Sequence, residues 1–377
     1  QAGNLNQIEI MTTPPAKYDA AGNAGIINII TKKGTIKGMN GSIDLNYAQG
    51  LYPKYNGGAN FNYRNNKINL FGSYNGGVWE GWGILKINRN FSKDGILTGT
   101  SDQATERHNK SKWHNAKIGL DYTFSQKDIA GVVVTGNINP WENWQTSTSN
   151  IRETDGTLNS VFLSDALNSN RSKNINTNFN YKHSFDSTGK EFTTDLDYGY
   201  YESRGKNLLN TQVYDANEQK RGNTVLLDGN FPSVIRIYSG KMDYVHPFSK
   251  NLKLETGLKS AFVNTDNDVR YMRDTSTGWY TDNQRTNHFI YKENVNAVYA
   301  TLTATVKKWE LSGGLRMENT IAEGTQLQND SSFKRNYTNL FPTAGAVYNM
   351  NEKNQLSLAY SRRVRRPDYD DLNPFIF

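Results

Sequence analysis

The strongest constraint on this chain is a period of two in its hydrophobicity, recurring along almost the whole sequence. Ala116, Ile118, Leu120, Tyr122 and Phe124 alternate with Lys117, Gly119, Asp121 and Thr123. Phe192, Leu196, Tyr198 and Tyr200 alternate with Thr193, Asp195, Asp197 and Gly199. Leu254, Leu258 and Phe262 oppose Glu255 and Lys259, and Trp309, Leu311, Leu315 and Met317 oppose Glu310, Ser312, Arg316 and Glu318. Successive side chains of a strand point to opposite faces, so each stretch reads as a strand with one apolar and one polar side. No helical repeat of useful length competes with it. The fold class is all-β.

Alternation alone does not separate a soluble β-sandwich from a membrane barrel, but connection length does. Thirteen strands are read at about 38–49, 55–63, 67–79, 112–124, 129–139, 171–184, 191–204, 233–248, 252–264, 292–306, 309–320, 335–349 and 354–362. Connections after even-numbered strands are short, at 64–66, 125–128, 185–190, 249–251, 307–308 and 350–353. Those after odd-numbered strands are long, at 80–111, 140–170, 205–232, 265–291 and 321–334, the first near 50–54 being the exception. Antiparallel strands that cross a bilayer sort their turns in this way, and a sandwich has no reason to. Nearly all the segments reach the about 9–11 tilted residues that a bilayer requires.

Composition fits. The hydrophobic fraction is only 36%, with a mean hydropathy of −0.74, yet the chain holds 22 Tyr, 16 Phe and 7 Trp. Disordered chains are poor in aromatics, whereas barrel strands pair a lipid face with a wet lumen and keep average hydropathy low. No run approaches the roughly 18 apolar residues of a membrane helix. There is no cysteine, which removes disulfides, thiolate metal sites and Cys nucleophiles. The net charge of +7 is spread along the chain apart from Arg362, Arg363, Arg365 and Arg366, so no nucleic-acid partner is expected. The chain opens on QAGNLNQIEI without a Met start or a secretory signal, so an upstream segment is expected to have been removed.

The two ends carry a family resemblance. In residues 8–33, Ile8–Met11 and Ile26–Thr31 read as short strands, the second apolar on both faces as in a sheet buried on each side. Pro14 and Pro15 stiffen the connection between them, and the small residues of 20–25 allow close passage of backbone. This stretch resembles the end of the plug domain in TonB-dependent receptors, in the branch described as outer-membrane β-barrel proteins. LAYSRRVRRPDYDDLNPF near the C-terminus, GLRMENT (314–320) and NLFPTAGAVYNM (339–350) resemble the barrel of the same family. The resemblance implies residues 1–33 as the end of a plug and 34–377 as the first part of a barrel of about 22 strands. It implies import of a scarce ligand (siderophore, glycan, peptide or vitamin) driven through TonB. It also implies that the TonB-contacting region and the later strands lie outside this sequence. Thirteen strands cannot close an antiparallel barrel, so an open sheet with two unpaired edge strands is expected.

Little else signals chemistry. His108, His114, His183, His246 and His288 show no metal-ligand spacing. Asp266 with Asp268, and Asp368 with Asp370 and Asp371, read as cation ligands or as solvated loops. No nucleophile elbow, P-loop or dinucleotide motif is present in context; neither an enzyme nor a cofactor is expected. Trp79, Trp113 and Trp309 read as an interfacial girdle. Trp141, Trp144 and Trp279 read as girdle or as stacking platforms for a ligand. Arg362 and Arg363 read as anion recognition, as attraction to lipopolysaccharide, or as internal pairing with Asp368, Asp370 and Asp371, the nearness of opposite charges favouring the last. Expected partners are outer-membrane lipid, lipopolysaccharide, the imported ligand and the TonB complex. A passive barrel or surface scaffold would lack the plug-like segment. A soluble β-rich carbohydrate-binding or hydrolytic protein would not need detergent.

Overall fold

The computed structural model describes residues 5–22, 25–31, 37–275, 278–367 and 369–372. The strands are β1 (Leu5–Met11), β2 (Ile26–Thr31), β3 (Gly38–Gln49), β4 (Pro53–Arg64), β5 (Ile68–Lys93), β6 (Ile96–Thr123), β7 (Asp128–Arg152) and β8 (Leu158–Ser184). They continue as β9 (Glu191–Asp215), β10 (Lys220–Ser249), β11 (Leu252–Thr275), β12 (Gly278–Thr281), β13 (Asn287–Val306), β14 (Trp309–Gln326), β15 (Ser331–Asn351) and β16 (Asn354–Ser361). One helical turn, α1 (Tyr369–Leu372), follows. β1 and β2 form a hairpin of their own. The rest is one antiparallel sheet of 14 strands, in which thirteen run as an uninterrupted up-and-down meander from β3 to β16 and β12 pairs only with β11. As expected, β3 and β16 each pair on one side alone among the described residues.

The parity of the turns holds, but the long connections are not loops. β5 and β6 stay in register from Ile68↔Tyr122 to Lys93↔Ile96, with one irregularity beside the turn at Asp94 and Gly95. Both turn residues have positive φ, 52° and 79°, as a tight two-residue hairpin requires. Residues 140–170, 205–232 and 321–334 likewise continue the hairpins, and most of 265–291 does so through β11, β12 and β13. The reason is chemical. Beyond the apolar band both faces of a strand meet water, so one-sided hydrophobicity disappears while the backbone ladder continues. At about 3.3 Å per residue, the 26 residues of β5 extend far past a hydrocarbon core of about 30 Å.

The register fixes which residues share a face. One row of directly opposed residues crosses ten strands: Ile68, Tyr122, Ala130, Tyr181, Thr194, Met242, Leu258, Val298, Met317 and Leu340. Ile118, Leu120, Leu196, Tyr198, Leu258, Leu311 and Leu315 share this outward face. Lys117, Asp121, Asp195, Asp197, Glu255, Lys259 and Arg316 lie on the other, the lumen face, as their alternation predicts. The burial of a water-soluble protein is inverted. Leu258 and Leu315 are 51% and 48% exposed, while Arg316 and Glu318 are each 1% exposed.

At the short-turn end the outward face carries an aromatic belt. Tyr122 meets Phe124 edge-on at 4.7 Å, His183 meets Phe185 at 4.5 Å, and His246 meets Phe248 at 4.6 Å. Trp309 joins the belt against Tyr348, 4.8 Å away. Trp79 and Trp113 do not. Both are odd-numbered in strands whose outward positions are even, and they face the lumen. There Trp113 Nε1 donates to Asn75 Oδ1 (3.0 Å) and the Lys54 ammonium lies over the Trp79 ring. The expected burial of β2 on both sides is also corrected. A two-stranded hairpin covers one face only, and Ile8, Ile10, Ile27 and Ile29 are exposed together on the other.

Sidedness gives a direct test. A cation on the lipid face costs about 2–4 kcal/mol at mid-depth, whereas Asp121 sits in the lumen accepting a hydrogen bond from Asn69. Leu120→Lys is therefore expected to reduce the fraction with heat-modifiable, folded mobility in detergent well below that of Asp121→Lys. Equal losses would refute the register.

Candidate functional site: a segment docked on the lumen wall

Among the described residues, the most deeply buried charges are on β14. Arg316 and Glu318 are two residues apart, so both point to the lumen, and the Arg316 Nε donates to Glu318 Oε1 at 2.5 Å. Burial of such a pair is costly unless further partners satisfy the remaining groups. Those partners come from the connection between β1 and β2. Arg316 Nη2 donates to Asp19 Oδ1 (3.0 Å), its Nη1 reaches the Ala16 carbonyl (3.5 Å), and the Ala20 amide donates to Glu318 Oε1 (3.2 Å). The Tyr299 ring lies beneath the Arg316 guanidinium at 5.2 Å.

The network spreads along the wall. Lys259 on β11 donates to Asp19 Oδ2 (2.6 Å), and Arg366 donates to Glu318 Oε2 (2.6 Å) with Glu293 on β13 at 3.7 Å. Tyr299 donates to Asp243 (2.7 Å), which also pairs with Lys241 (2.7 Å). Lys241, Lys259, Arg316 and Arg366 thus balance Asp19, Asp243, Glu293 and Glu318. Burial alone raises the Asp19 carboxyl. The Lys259 hydrogen bond and the charges of Lys259, Arg316 and Arg366 outweigh it, so the net shift is downward from 3.8.

Small residues let the backbone approach. Ala16, Ala20 and Pro14 are buried, and a Cβ on Gly314 would lie 3.1 Å from the Ala16 Cβ. Beyond β16 the chain runs beside the same segment. The Gly22 amide donates to the Val364 carbonyl and the Val364 amide to the Ala20 carbonyl, both at 3.1 Å, giving a parallel bridge. The expected close passage at 20–25 is thus seen at Ala20, Ala21 and Gly22; Asn23 and Ala24 lie outside the described residues.

Arg363 is committed to this contact: it donates to the carbonyls of Gly22 and Asp19 (2.8 Å each) and Ala21 (3.2 Å). Arg362 lies over Phe341 and donates to the Leu340 carbonyl (3.1 Å). Arg362, Arg363 and Arg366 thus reach partners outside their own loop, on the wall and on the docked backbone. Asp368 and the side chain of Asp370 lie outside the described residues. Asp266 and Asp268 are engaged with His288 and Arg270.

The three tryptophan candidates are not brought together. Trp141 faces the lumen, beside a cross-strand row of amides in which Asn143 donates to Asn109 and Asn207 to Asn168. Trp144 faces outward and completes a stack in which His108 lies 4.6 Å from Tyr52 and 5.1 Å from Trp144. Trp279 is exposed on β12 at the far end. Arg316, Glu318 and Asp19 escaped the sequence reading as a site. The available signal was an Arg and a Glu two apart on the polar face of a strand, inside GLRMENT.

Cutting the network should release the segment. Arg316→Met removes the cation that Glu318 and Asp19 share, leaving Glu318 to Arg366 and Asp19 to Lys259, and so weakens the docking. Residues 5–31 should then become protease-sensitive while the folded mobility of the sheet persists. The depressed Asp19 pKa adds a sign: its contribution is complete above 3.8 and is lost as pH falls below that value. Protection factors at 14–22, taken relative to the intrinsic exchange rate at each pH, should therefore fall in acid below about pH 4 and stay flat between pH 5 and 8.

Residues 183–377, just over half of the chain, match the model of the outer membrane protein beta-barrel family. No curated protein matches. Among solved structures, the chain is similar to the outer membrane protease OmpT of Escherichia coli (12% identity, 75% of this chain and 96% of that one, TM-score 0.22). It is similar also to the translocator domain of the autotransporter NalP of Neisseria meningitidis (13%, 79% and 82%, 0.25). A third is the pyoverdine outer membrane receptor FpvA of Pseudomonas aeruginosa PAO1 (9%, 94% and 78%, 0.26). At such TM-scores these likenesses carry no argument about function.

Proposed function

The chain belongs to the outer membrane protein β-barrel family of the bacterial outer membrane, and from that premise we propose that it forms part of a TonB-dependent receptor importing a scarce ligand. In this reading residues 1–33 are the end of a plug and 34–377 the first part of the barrel. The observation that carries it is the docking of residues 14–22 on the lumen wall through the Asp19–Arg316–Glu318–Arg366 network. A passive barrel has no need to hold a non-barrel segment in its lumen with buried charge. The ligand path runs along the lumen face past Trp141 and the amide row of Asn109, Asn143, Asn168 and Asn207. Such a wall suits a polar ligand bound by hydrogen bonds and ring stacking. No catalysis is assigned to it.

Two measurements test the reading. Gly314→Leu places a side chain where Ala16 packs and should dislodge the segment. Cells producing the full-length variant should become sensitive to vancomycin, which an occupied lumen excludes. Sensitivity equal to that of wild-type cells would overturn the plug assignment. The full-length protein should also retain the periplasmic domain of TonB in a pull-down, and failure to do so would favour a passive barrel.

A further inference from the structure

The outward face changes character at a definite height. From the short-turn end, β6 presents Tyr122, Leu120, Ile118, Ala116 and His114 before its first lysine, Lys112. β8 presents Tyr181, Phe179, Thr177 and Ile175 before Lys173 and Arg171. β9 presents Thr194, Leu196, Tyr198 and Tyr200 before Glu202 and Arg204, and β10 presents Met242, Gly240 and Tyr238 before Arg236. Counted from His183 on β8 and Phe192 on β9, the stretch before the first charged outward residue is about nine residues on each of β6, β8 and β9, the length that spans a bilayer core. Lys112, Lys173, Arg171, Arg204 and Arg236 therefore lie just beyond the hydrocarbon, at the end away from the short turns.

These five cations outnumber the carboxylates beside them, and Glu202 serves two of them. Glu202 takes Lys173 (2.7 Å) and Arg204, and accepts from Tyr200 (2.7 Å). Arg236 lies over the Tyr200 ring at 5.7 Å. Arg171 and Arg204 stand directly opposite each other across β8 and β9, an arrangement that repels unless an anion bridges it. Among the described residues, neither Lys112 nor Arg171 has an ion-paired partner. The nearby Glu142 stands opposite Lys110, not Arg171. Immediately below lies a groove of about 410 Å³ floored by Ile138 and Ile175 and edged by His114, Lys173 and Tyr200.

We propose that this outward patch binds a phosphorylated glycolipid of the outer leaflet, of the lipid A type, with acyl chains on Ile138 and Ile175 and a phosphate bridging Arg171 and Arg204. The apolar floor sits on the hydrocarbon side and the cations on the headgroup side, the order in which such a lipid presents its own parts. Guanidinium forks match phosphate oxygens in pairs, and basic pockets at the membrane boundary select anionic headgroups. The site is on the opposite face from the ligand path, so it stands whether or not the import reading does.

The test uses the full-length protein in detergent, with diphosphoryl lipid A, dephosphorylated lipid A, phosphatidylglycerol and inorganic phosphate as probes. Diphosphoryl lipid A should co-purify and raise the melting temperature, and the other three should bind at least tenfold more weakly. Arg171→Gln with Arg204→Gln should keep the folded mobility of the wild type and abolish the shift on adding diphosphoryl lipid A. Lys250→Gln, at a short turn, should leave that shift intact. An undiminished shift in the double variant, or equal binding of phosphatidylglycerol or free phosphate, would overturn the proposal.

Discussion

Hydrocarbon offers no hydrogen-bond partner to a peptide group, and this one constraint organises the molecule. Each N–H and C=O at membrane depth must find its partner on a neighbouring strand, so the chain runs as an unbroken antiparallel meander. With the backbone committed, side chains alternate by necessity. The outward set meets lipid, and the polar set is turned to the lumen. Leu258 is thus half exposed while Arg316, two strands away, is closed off. The hydrophobic core of a soluble protein is replaced by an apolar exterior and a wall of polar groups.

A wall of this kind creates its own difficulty wherever something covers it. Arg316 and Glu318 lose their water when residues 14–22 lie over them, and ions removed from water are tolerable only with full pairing. The docked segment supplies that pairing at defined points: the Asp19 carboxylate, the Ala20 amide and the Ala16 carbonyl. A shift of the segment by one residue would break all three together. The network therefore specifies a position more than it adds stability. Arg363 reinforces the choice by gathering three carbonyls of the same stretch. The small side chains of Ala16, Ala20 and Gly314 make the approach sterically possible.

How much of this could be read from sequence depends on which solvent each residue meets. Within the band, lipid on one side and water on the other print the alternation directly, and the faces it gives Ile118, Leu120, Lys117 and Asp121 are those of the register. Above the band both sides are wet and the print fades; residues 80–111 then look like a loop although Ile84, Thr105 and Glu106 are in regular pairs. Trp79 and Trp113 misled for a related reason. Position near a strand end suggested an interfacial belt, while parity, which the alternation already fixed, put them in the lumen. The belt was instead carried by His183, Phe185, Tyr244, His246 and Phe248, whose spacing by two on the outward face was a usable signal. The charge network was hidden, because Asp19 and Arg316 are some three hundred positions apart and only the fold brings them together.

Wet on both faces, the extended hairpins gain a freedom that the membrane-spanning part lacks. Below the boundary the outward position must be apolar and only the lumen position can carry specificity. Above it, each strand offers two independent polar surfaces in strict alternation. Trp141 and Trp144 lie three residues apart on β7 and serve different surfaces, one beside the lumen amides and one in the outward stack with His108 and Tyr52. The same parity separates Lys173 and Arg204, outward, from Asn168 and Asn207, inward, on β8 and β9. A substitution on one set leaves the backbone ladder and the other set in place. Side chains on the lumen face and on the outward rim can therefore change independently on a common scaffold, provided that the period of two is kept.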